Sequence, residues 1–170
     1  FAQLDDIPIA SIALINGYAF GGGMELALAC TYRLATPSAK VGLPEIKLGL
    51  IPGYGGTIRF PRLIGEGRAL ELVMTGRTVE AEEAERIGLV NRIVEGDPME
   101  AAMTYARDFT CYSLPVLKLA RESVMRALDV PVLEGLKIEA DLNTLAFQTE
   151  DSAEGMNAFV DKRDAQFKDR

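Results

Sequence analysis

The fold is decided by the stretch Ala19-Phe20-Gly21-Gly22-Gly23-Met24-Glu25-Leu26-Ala27-Leu28-Ala29-Cys30. An apolar run from Ile9 to Ile15 precedes it and passes through Asn16-Gly17 into three successive glycines. Because glycine has no Cβ, these residues permit a sharp turn of the backbone and a close approach of a ligand. The residues after them are apolar nearly all round, so we expect a buried core helix over residues 22–32.

The start of this helix is a candidate site for negative charge. The first N–H groups of a helix lack intrahelical partners and lie at the positive end of its dipole, so the N–H of Gly22 or Gly23 is suited to hold an oxyanion. Glu25 lies in the first turn, beside any ligand bound there. Two simpler interpretations stay open: the glycines form only a tight turn, and Glu25 only complements the dipole. A phosphate-binding loop is disfavoured because no Gly-Lys-Ser/Thr follows the glycines.

Length and composition describe one domain with an ordinary balance of residues. The chain has 170 residues, of which 48% are hydrophobic and 25% charged, and this is enough for a sizeable core. Its net charge of −7 argues against sequence-independent binding of nucleic acid. The apolar runs are too short, and too often broken by glycine, to span a bilayer.

Histidine is absent from the sequence, and the only cysteines are Cys30 and Cys111. Ser-His-Asp and Cys-His catalysis are therefore excluded, and we expect no metal site, since a familiar zinc site needs more ligands of these types. Two cysteines do not make a disulfide framework, and they fit a reducing, intracellular setting. Any acid–base chemistry must come from Glu, Asp, Lys, Tyr or water.

Strand patterns are concentrated in residues 1–95, and residues 96–170 are predicted to be helical. This division predicts an α/β fold in which short strand–helix turns are followed by a helical C-terminal extension. The predicted strands are residues 8–15, 32–35, 40–42 and 89–94. Thr57 and Thr78 are predicted to cap helices, the second over residues 79–87, and Asp97 to begin a helix that ends near Cys111. Further helices are predicted over residues 66–74, 113–128, 132–148 and 152–167.

Glu25 and Glu45 form the most informative pair of polar residues. Each follows a predicted strand, among glycine or proline and apolar neighbours, so both side chains are expected at one edge of a sheet. Two carboxylates in one apolar pocket repel each other, and one of them then holds a proton more tightly. Such a pair can act as base and acid around one water, although a solvated turn residue explains Glu45 equally well. The glycine-rich loop from Gly49 to Thr57 is either plain connection or backbone that lines the site.

Several longer motifs resemble those of the crotonase (enoyl-CoA hydratase/isomerase) superfamily. The two most characteristic are Ile15-Asn16-Gly17-Tyr18-Ala19-Phe20-Gly21-Gly22-Gly23-Met24-Glu25-Leu26-Ala27 and Gly42-Leu43-Pro44-Glu45-Ile46-Lys47-Leu48-Gly49-Leu50-Ile51-Pro52-Gly53-Tyr54-Gly55-Gly56-Thr57. The others are Arg59-Phe60-Pro61-Arg62-Leu63-Ile64-Gly65, Thr75-Gly76-Arg77, residues 84–90 and Glu154-Gly155-Met156-Asn157-Ala158-Phe159-Val160-Asp161-Lys162-Arg163. Together they cover essentially the whole chain, which is most similar to an enoyl-CoA hydratase.

The resemblance implies a crotonase-like spiral of strand–strand–helix turns, with the active site in residues 1–95 and a helical trimerisation region in residues 96–170. Superfamily members bind acyl-CoA thioesters and stabilise the thioester oxyanion with two backbone N–H groups, one of which corresponds to Gly22. Glu25 and Glu45 correspond to the two glutamates of true hydratases: Glu45 would deliver a proton to the α-carbon, and Glu25 would help to activate the water that adds at the β-carbon. No cofactor is implied, because CoA is part of the substrate.

The resemblance also implies a set of substrate-binding positions, namely Gly21, Gly23, Pro44, Gly53, Tyr54, Phe159 and Lys162. Tyr54 would narrow the acyl pocket. Phe159 and Lys162 would reach the CoA of a neighbouring subunit in a homotrimer or a dimer of trimers. The alternatives are core packing for Phe159 and a solvated charge for Lys162. The expected location is the cytoplasm of a bacterium, with the mitochondrial matrix as the alternative.

The N-terminal portion is where the sequence departs from the family pattern. The chain is expected to lack early strands and the loop that bears the first oxyanion N–H. We therefore predict the C-terminal part of an enoyl-CoA hydratase that acts in fatty-acid or related acyl-CoA breakdown. The alternatives are an enoyl-CoA isomerase, a hydratase of branched or cyclic acyl-CoA, and a catalytically incomplete fragment.

Overall fold

Short strands that alternate between two small sheets organise the first half of the computed structural model, which describes residues 1–170. The strands are β1 (Ile12–Ile15), β2 (Tyr18–Phe20), β3 (Tyr32–Ala35), β4 (Lys40–Gly42), β5 (Val79–Glu80) and β6 (Arg92–Ile93). One sheet has the order β1-β3-β6 and is parallel throughout. In the other, β2 pairs with β4 in parallel and β4 pairs with β5 antiparallel. The pairs β1–β2 and β3–β4 thus place their first strands in one sheet and their second strands in the other, whereas β5 and β6 have the reverse order. This arrangement confirms the expected α/β fold.

Nine α-helices and one 3₁₀ helix complete the fold. The helices are α1 (Ala2–Asp5), α2 (Gly22–Ala29), α3 (Gly56–Ile64), α4 (Glu66–Thr75), α5 (Ala81–Arg86), α6 (Pro98–Thr110), α7 (Leu114–Arg126), α8 (Val132–Phe147) and α9 (Glu150–Asp161), and the 3₁₀ helix is Glu45–Leu48. None of them combines the length and the apolarity that crossing a lipid bilayer demands. The chain forms two compact units, residues 1–104 and 105–170.

The core of the first unit is built from side chains of both sheets and of the helices between them. Met24 of α2, Leu34 of β3, Leu43 after β4, Phe60 of α3 and Val79 of β5 are all 0% exposed. Burial of each such side chain contributes about 1.5–3 kcal/mol. This packing holds α2 and α3 against the sheets, and the candidate site lies at the N-terminal ends of these two helices.

The second unit consists of the C-terminal end of α6, the helices α7, α8 and α9, and a tail that returns along α9. Helix α8 packs against α7 and α9. Asp151 in the first turn of α9 is 2% exposed, and its carboxylate accepts hydrogen bonds from the N–H groups of Lys168 (2.7 Å) and Arg170 (3.3 Å). The assignment of trimerisation to residues 96–170 stays a prediction.

Four predicted element boundaries in the first unit are wrong for identifiable reasons. The first strand begins at Ile12 and not at residue 8, because its partner β3 begins only at Tyr32. Helix α2 ends at Ala29, since reciprocal bonds between Ser11 and the backbone and side chain of Thr31 start the pairing of β1 with β3. The strand predicted over residues 89–94 is reduced to β6. Thr57 lies inside the first turn of α3 and caps nothing, because the helix begins one residue earlier.

Two further predictions fail, the first because of a contact distant in sequence and the second because of a local backbone conformation. Val79 and Glu80 are extended and not helical, since Val79 pairs with Val41 of β4 and is fully buried. Thr78 is therefore not a helix cap, and α5 begins only at Ala81. At the other end of the chain, α9 ends at Asp161 and does not continue to residue 167, because Lys162 adopts a left-handed conformation with φ of 54°.

Candidate active site

The three glycines form the turn that begins α2, as the sequence predicted. Gly21 has φ 54° and ψ −126°, a conformation that side chains with a Cβ rarely adopt. Its N–H donates to the carbonyl of Gly42 at the end of β4 (3.1 Å), and its own carbonyl accepts the N–H of Glu25 (2.9 Å). The glycine turn is thereby attached to β4, and the first helical residue is Gly22.

The N–H groups of Gly22 and Gly23 precede the first hydrogen bond of the helix. Like the first N–H groups of any helix, they have no intrahelical partner and lie at the positive end of the dipole. A Cβ added at Gly23 would meet no atom within 4 Å, and one added at Gly22 would meet only Cδ2 of Tyr54 at 3.9 Å. The space on the Cβ side of these two residues is open, so another molecule can approach their α-carbons closely.

Glu25 is buried, and its carboxylate is fixed by backbone donors. The residue is 1% exposed, and its Oε1 accepts the N–H of Tyr54 at 2.7 Å and the N–H of Gly56 at 2.8 Å. Hydrogen bonds to a charged acceptor are shorter and stronger than neutral ones. Glu25 therefore does more than complement the helix dipole, because it ties the first turn of α2 to the glycine-rich loop.

Glu45 approaches the same turn from the other side. It is the first residue of the 3₁₀ helix, and Pro44 is the residue before that helix. A Cβ added at Gly21 would lie 3.1 Å from Oε1 of Glu45, so this carboxylate lies against the glycine turn. Glu45 is half-buried, yet its Oε2 is inaccessible and has no hydrogen-bond partner within the chain. A solvated turn residue does not fit this environment.

The expected meeting of Glu25 and Glu45 is thus found at one turn. Glu25 lies in the first turn of α2, where backbone N–H groups anchor its carboxylate. The carboxylate of Glu45 lies against Gly21, which is four residues before Glu25. A buried polar atom without a partner is costly and needs an explanation. In the single chain, this cost falls on Oε2 of Glu45.

Tyr54 and Gly53 lie in the loop before α3, and both are exposed. The ring of Tyr54 is 68% exposed and makes an edge contact with the ring of Phe1, with 5.6 Å between the centroids. Because a Cβ at Gly22 would meet this ring, the aromatic face of Tyr54 borders the open space in front of the glycine turn. Tyr54 is therefore well placed to restrict that space.

Phe159 and Lys162 belong to the second unit. Phe159 on α9 is 85% exposed, so the alternative of core packing is wrong within the single chain. Lys162 follows α9 and is exposed as well.

The backbone donors to Glu25 were not predicted from the sequence. Tyr54 was considered only for its ring, and Gly56 only as part of a loop that either connects elements or lines the site with its backbone, whereas both present an N–H to the carboxylate. The signal was the pair Gly55-Gly56 at the start of a helix. Gly55 has φ 104°, and this left-handed conformation turns the chain between the two donors.

Comparisons with known proteins agree with this architecture. The model of the family described as enoyl-CoA hydratase/isomerase matches residues 1–170. A Rhizobium meliloti protein named "Probable enoyl-CoA hydratase" is 48% identical over 160 residues, which are 94% of this chain and 62% of that protein. A Syntrophomonas wolfei protein named crotonyl-CoA hydratase is 42% identical over 158 residues, 92% of this chain and 60% of that protein.

Solved structures show the same similarity. The crystal structure of enoyl-CoA hydratase subunit I from Geobacillus kaustophilus superposes with a TM-score of 0.96 at 42% sequence identity, over 99% of this chain and 66% of that one. The chain therefore spans 60 to 66% of the length of these three relatives.

Proposed function

Because the chain belongs to the enoyl-CoA hydratase/isomerase family, we propose that it provides the acid–base site of an enoyl-CoA hydratase. The reaction adds water across the double bond of a 2-enoyl-CoA to give a 3-hydroxyacyl-CoA. One observation supports this proposal above the others. Glu45 places its Oε1 against Gly21 in the same turn at which Glu25 is anchored by two backbone N–H groups, and its Oε2 is buried without a partner.

In this proposal the two carboxylates divide the addition of water between them. Glu25, fixed through Oε1, helps to take a proton from the water whose oxygen bonds to the β-carbon. Glu45 delivers a proton to the α-carbon, so that the elements of one water are added. Glu25 then releases its proton to solvent and Glu45 takes one up from solvent, which returns both carboxyl groups to their starting states. Positioned groups of this kind contribute about 10²–10⁴-fold each to a rate. No cofactor is needed for these steps.

The N–H of Gly22 is proposed to hold the thioester oxygen as negative charge develops on it. The open space in front of Gly22 and Gly23 supports this role, and loss of one such donor typically costs about 10²–10³ in rate. Gly21, Gly23, Pro44, Gly53 and Tyr54 would line the bound acyl thioester. A second oxyanion donor is not assigned to any residue of this chain.

We also propose that the chain works in a homo-oligomer, a trimer or a dimer of trimers. Large apolar side chains of α8 and α9 are exposed in the single chain, among them Val132, Leu133, Leu136, Phe147, Phe159 and Val160. A second copy would cover such a surface. Phe159 and Lys162 would then reach the CoA of a neighbouring subunit. The bacterial relatives support a place in the bacterial cytoplasm and in acyl-CoA breakdown.

The test is the hydration of crotonyl-CoA, which is monitored through the loss of the ultraviolet absorbance of the conjugated thioester. We would compare the 170-residue chain with a version extended by the N-terminal segment that the longer relatives have. Glu45→Gln should lower the rate by at least about 10²-fold, and Glu82→Gln, an exposed glutamate of α5, is the matched control. A normal rate for Glu45→Gln in an active protein contradicts the proposal.

Two alternative functions predict different results in the same assay. Activity confined to the extended version favours the incomplete fragment, an alternative supported by the 60 to 66% of relatives' lengths that the chain spans. Absence of hydration in both versions, together with movement of the double bond in 3-enoyl-CoA, favours the isomerase. Turnover of a panel of straight, branched and cyclic thioesters separates the hydratases from one another.

A further inference from the structure

Arg59, in the first turn of α3, connects three separate parts of the site. Its Nη1 donates to the carbonyl of Tyr54 (3.1 Å), and its Nη2 forms an ion pair with the carboxylate of Asp5, the last residue of α1. The two side chains are only 20% and 30% exposed, respectively. The guanidinium group therefore bridges α1 and the loop before α3 from a largely buried position.

The carbonyl that Arg59 contacts lies between the two donors to Glu25. The carboxylate receives the N–H of Tyr54 and the N–H of Gly56, which belong to the peptide groups before and after the Tyr54–Gly55 peptide. Arg59 holds that intervening peptide by its oxygen. The orientation of the Tyr54–Gly55 peptide determines whether the N–H groups of Tyr54 and Gly56 can both reach Oε1 of Glu25, because the three peptide groups share the rotations at Tyr54 and Gly55.

The packing at Gly55 shows how closely the guanidinium group follows this turn. A Cβ added at Gly55 would lie 2.0 Å from Nη1 of Arg59. The arginine thus occupies the space that a side chain at position 55 would fill, and Gly55 is free to adopt its φ of 104°.

We propose that Arg59, held in place by Asp5, is a positioning residue for Glu25. It keeps residues 54–56 in the one conformation that presents both N–H groups to the Glu25 carboxylate. The consequence for catalysis rests on the role proposed above for Glu25. The consequence for the backbone does not, and it can be measured without any substrate.

The first measurement is amide hydrogen exchange in the 170-residue chain, with NMR as the detection method. In Arg59→Ala the protection of the Tyr54 and Gly56 amides should fall about tenfold or more, as expected for loss of a hydrogen bond from a charged donor. Amides in the middle of α2 should keep their protection. Arg68→Ala, which removes an exposed arginine of α4, is the matched control and should change neither amide.

Two milder variants guard against the case in which Arg59→Ala does not fold. Arg59→Lys keeps the charge but lacks the fork that reaches a carbonyl and a carboxylate at once, so its loss of protection should be intermediate. Asp5→Asn keeps Arg59 and removes only the charge that holds it, so the effect should be smaller but in the same direction. Unchanged protection of both amides in all variants that fold overturns the proposal.

The second measurement is the rate of crotonyl-CoA hydration in whichever version of the protein is active. Displacement of Glu25 should lower kcat about tenfold in Arg59→Ala, with KM changed less than about twofold, and added guanidinium ion should restore part of kcat. A rise of KM alone contradicts a role in positioning Glu25. If no version hydrates crotonyl-CoA, the proposed function fails, while the exchange data still decide whether Arg59 holds the turn.

Discussion

Replacement of Glu25 by glutamine and by alanine separates what its carboxylate does for stability from what it does for the reaction. Glutamine keeps an oxygen at the position of Oε1, so the N–H groups of Tyr54 (2.7 Å) and Gly56 (2.8 Å) retain an acceptor. Alanine removes the acceptor altogether. Both variants remove the charge, and therefore both should lose activity, but only one should leave buried N–H groups without partners.

The magnitudes follow from the number of bonds. A hydrogen bond to a charged group contributes about 1.5–3 kcal/mol and a neutral one about 0.5–1.5, so Glu25→Gln weakens two bonds by about 1 kcal/mol each. Burial of a neutral amide costs less than burial of a carboxylate, which offsets part of this loss. We expect Glu25→Gln to lower the free energy of unfolding by about 0–2 kcal/mol.

Glu25→Ala should be clearly more destabilising. Each buried N–H left without an acceptor costs about 1–3 kcal/mol, which gives about 2–6 kcal/mol for the two. Urea unfolding monitored by circular dichroism would measure both variants, with Glu82→Gln as the control for loss of an exposed negative charge.

Hydration of crotonyl-CoA supplies the second readout. An amide cannot accept the proton of the attacking water, so Glu25→Gln should lower kcat by about 10²–10⁴-fold while the protein stays folded. Near-normal activity of Glu25→Gln would refute the proposed role in the reaction. Equal stability of Glu25→Gln and Glu25→Ala would refute the account of the two backbone donors.

Three further predictions concern the rest of the site and the second unit. Gly21→Ala should destabilise the fold by about 1–2 kcal/mol because residue 21 has a positive φ. It should also slow hydration, because the new Cβ would crowd Oε1 of Glu45. Urea unfolding and the rate of crotonyl-CoA hydration, measured on the same preparation, test the two effects. Glu45→Gln should not destabilise the fold and should stabilise it slightly, since Oε2 is buried without a partner; lower stability in urea would contradict this. The hydrogen bond from the Arg163 side chain, and then one from a backbone N–H, lower the pKa of Glu154 from 4.5 to about 2. The contribution of Glu154 to folding stability is therefore present above pH 4.5 and is lost as the pH falls toward 2. Thermal unfolding should show this acid dependence in the wild type and less of it in Glu154→Gln.

The part of the site that could be predicted from the sequence is the part encoded by neighbouring residues. Three glycines followed by an apolar helix predict the turn at Gly21 and the position of Glu25 in the first turn of α2, and the structure has both. Glu45 was predicted to join Glu25 because each follows a strand. The strand predicted before Glu25 covered residues 8–15, whereas the strand that leads into the glycine turn is β2, which was not predicted. The two glutamates still lie near each other because β2 and β4 are adjacent and parallel, so the chain leaves both strands at the same edge of the sheet.

The part that could not be predicted depends on contacts between distant residues. Asp5 and Arg59 are 54 positions apart, and the residues around each of them do not predict their ion pair. Val79 was assigned to a helix because residues 78–87 have the pattern of a capped helix, whereas pairing with Val41 makes it extended. In each case local preference is worth a few tenths of a kcal/mol to about 1 kcal/mol per residue, and burial against a distant element outweighs it.

The two glutamates differ in a way that suits their proposed roles. Oε1 of Glu25 has two backbone donors, so this carboxylate is held in one position. Oε2 of Glu45 has none, so this carboxyl group can exchange partners without breaking a bond to the protein. A group that aligns a water for attack benefits from a fixed position, whereas a group that delivers a proton to carbon must change its hydrogen-bond partner during the reaction. These hydrogen bonds suit the proposed division, with water activation by Glu25 and proton delivery by Glu45, because the reverse assignment would require the anchored carboxylate to be the one that changes partners.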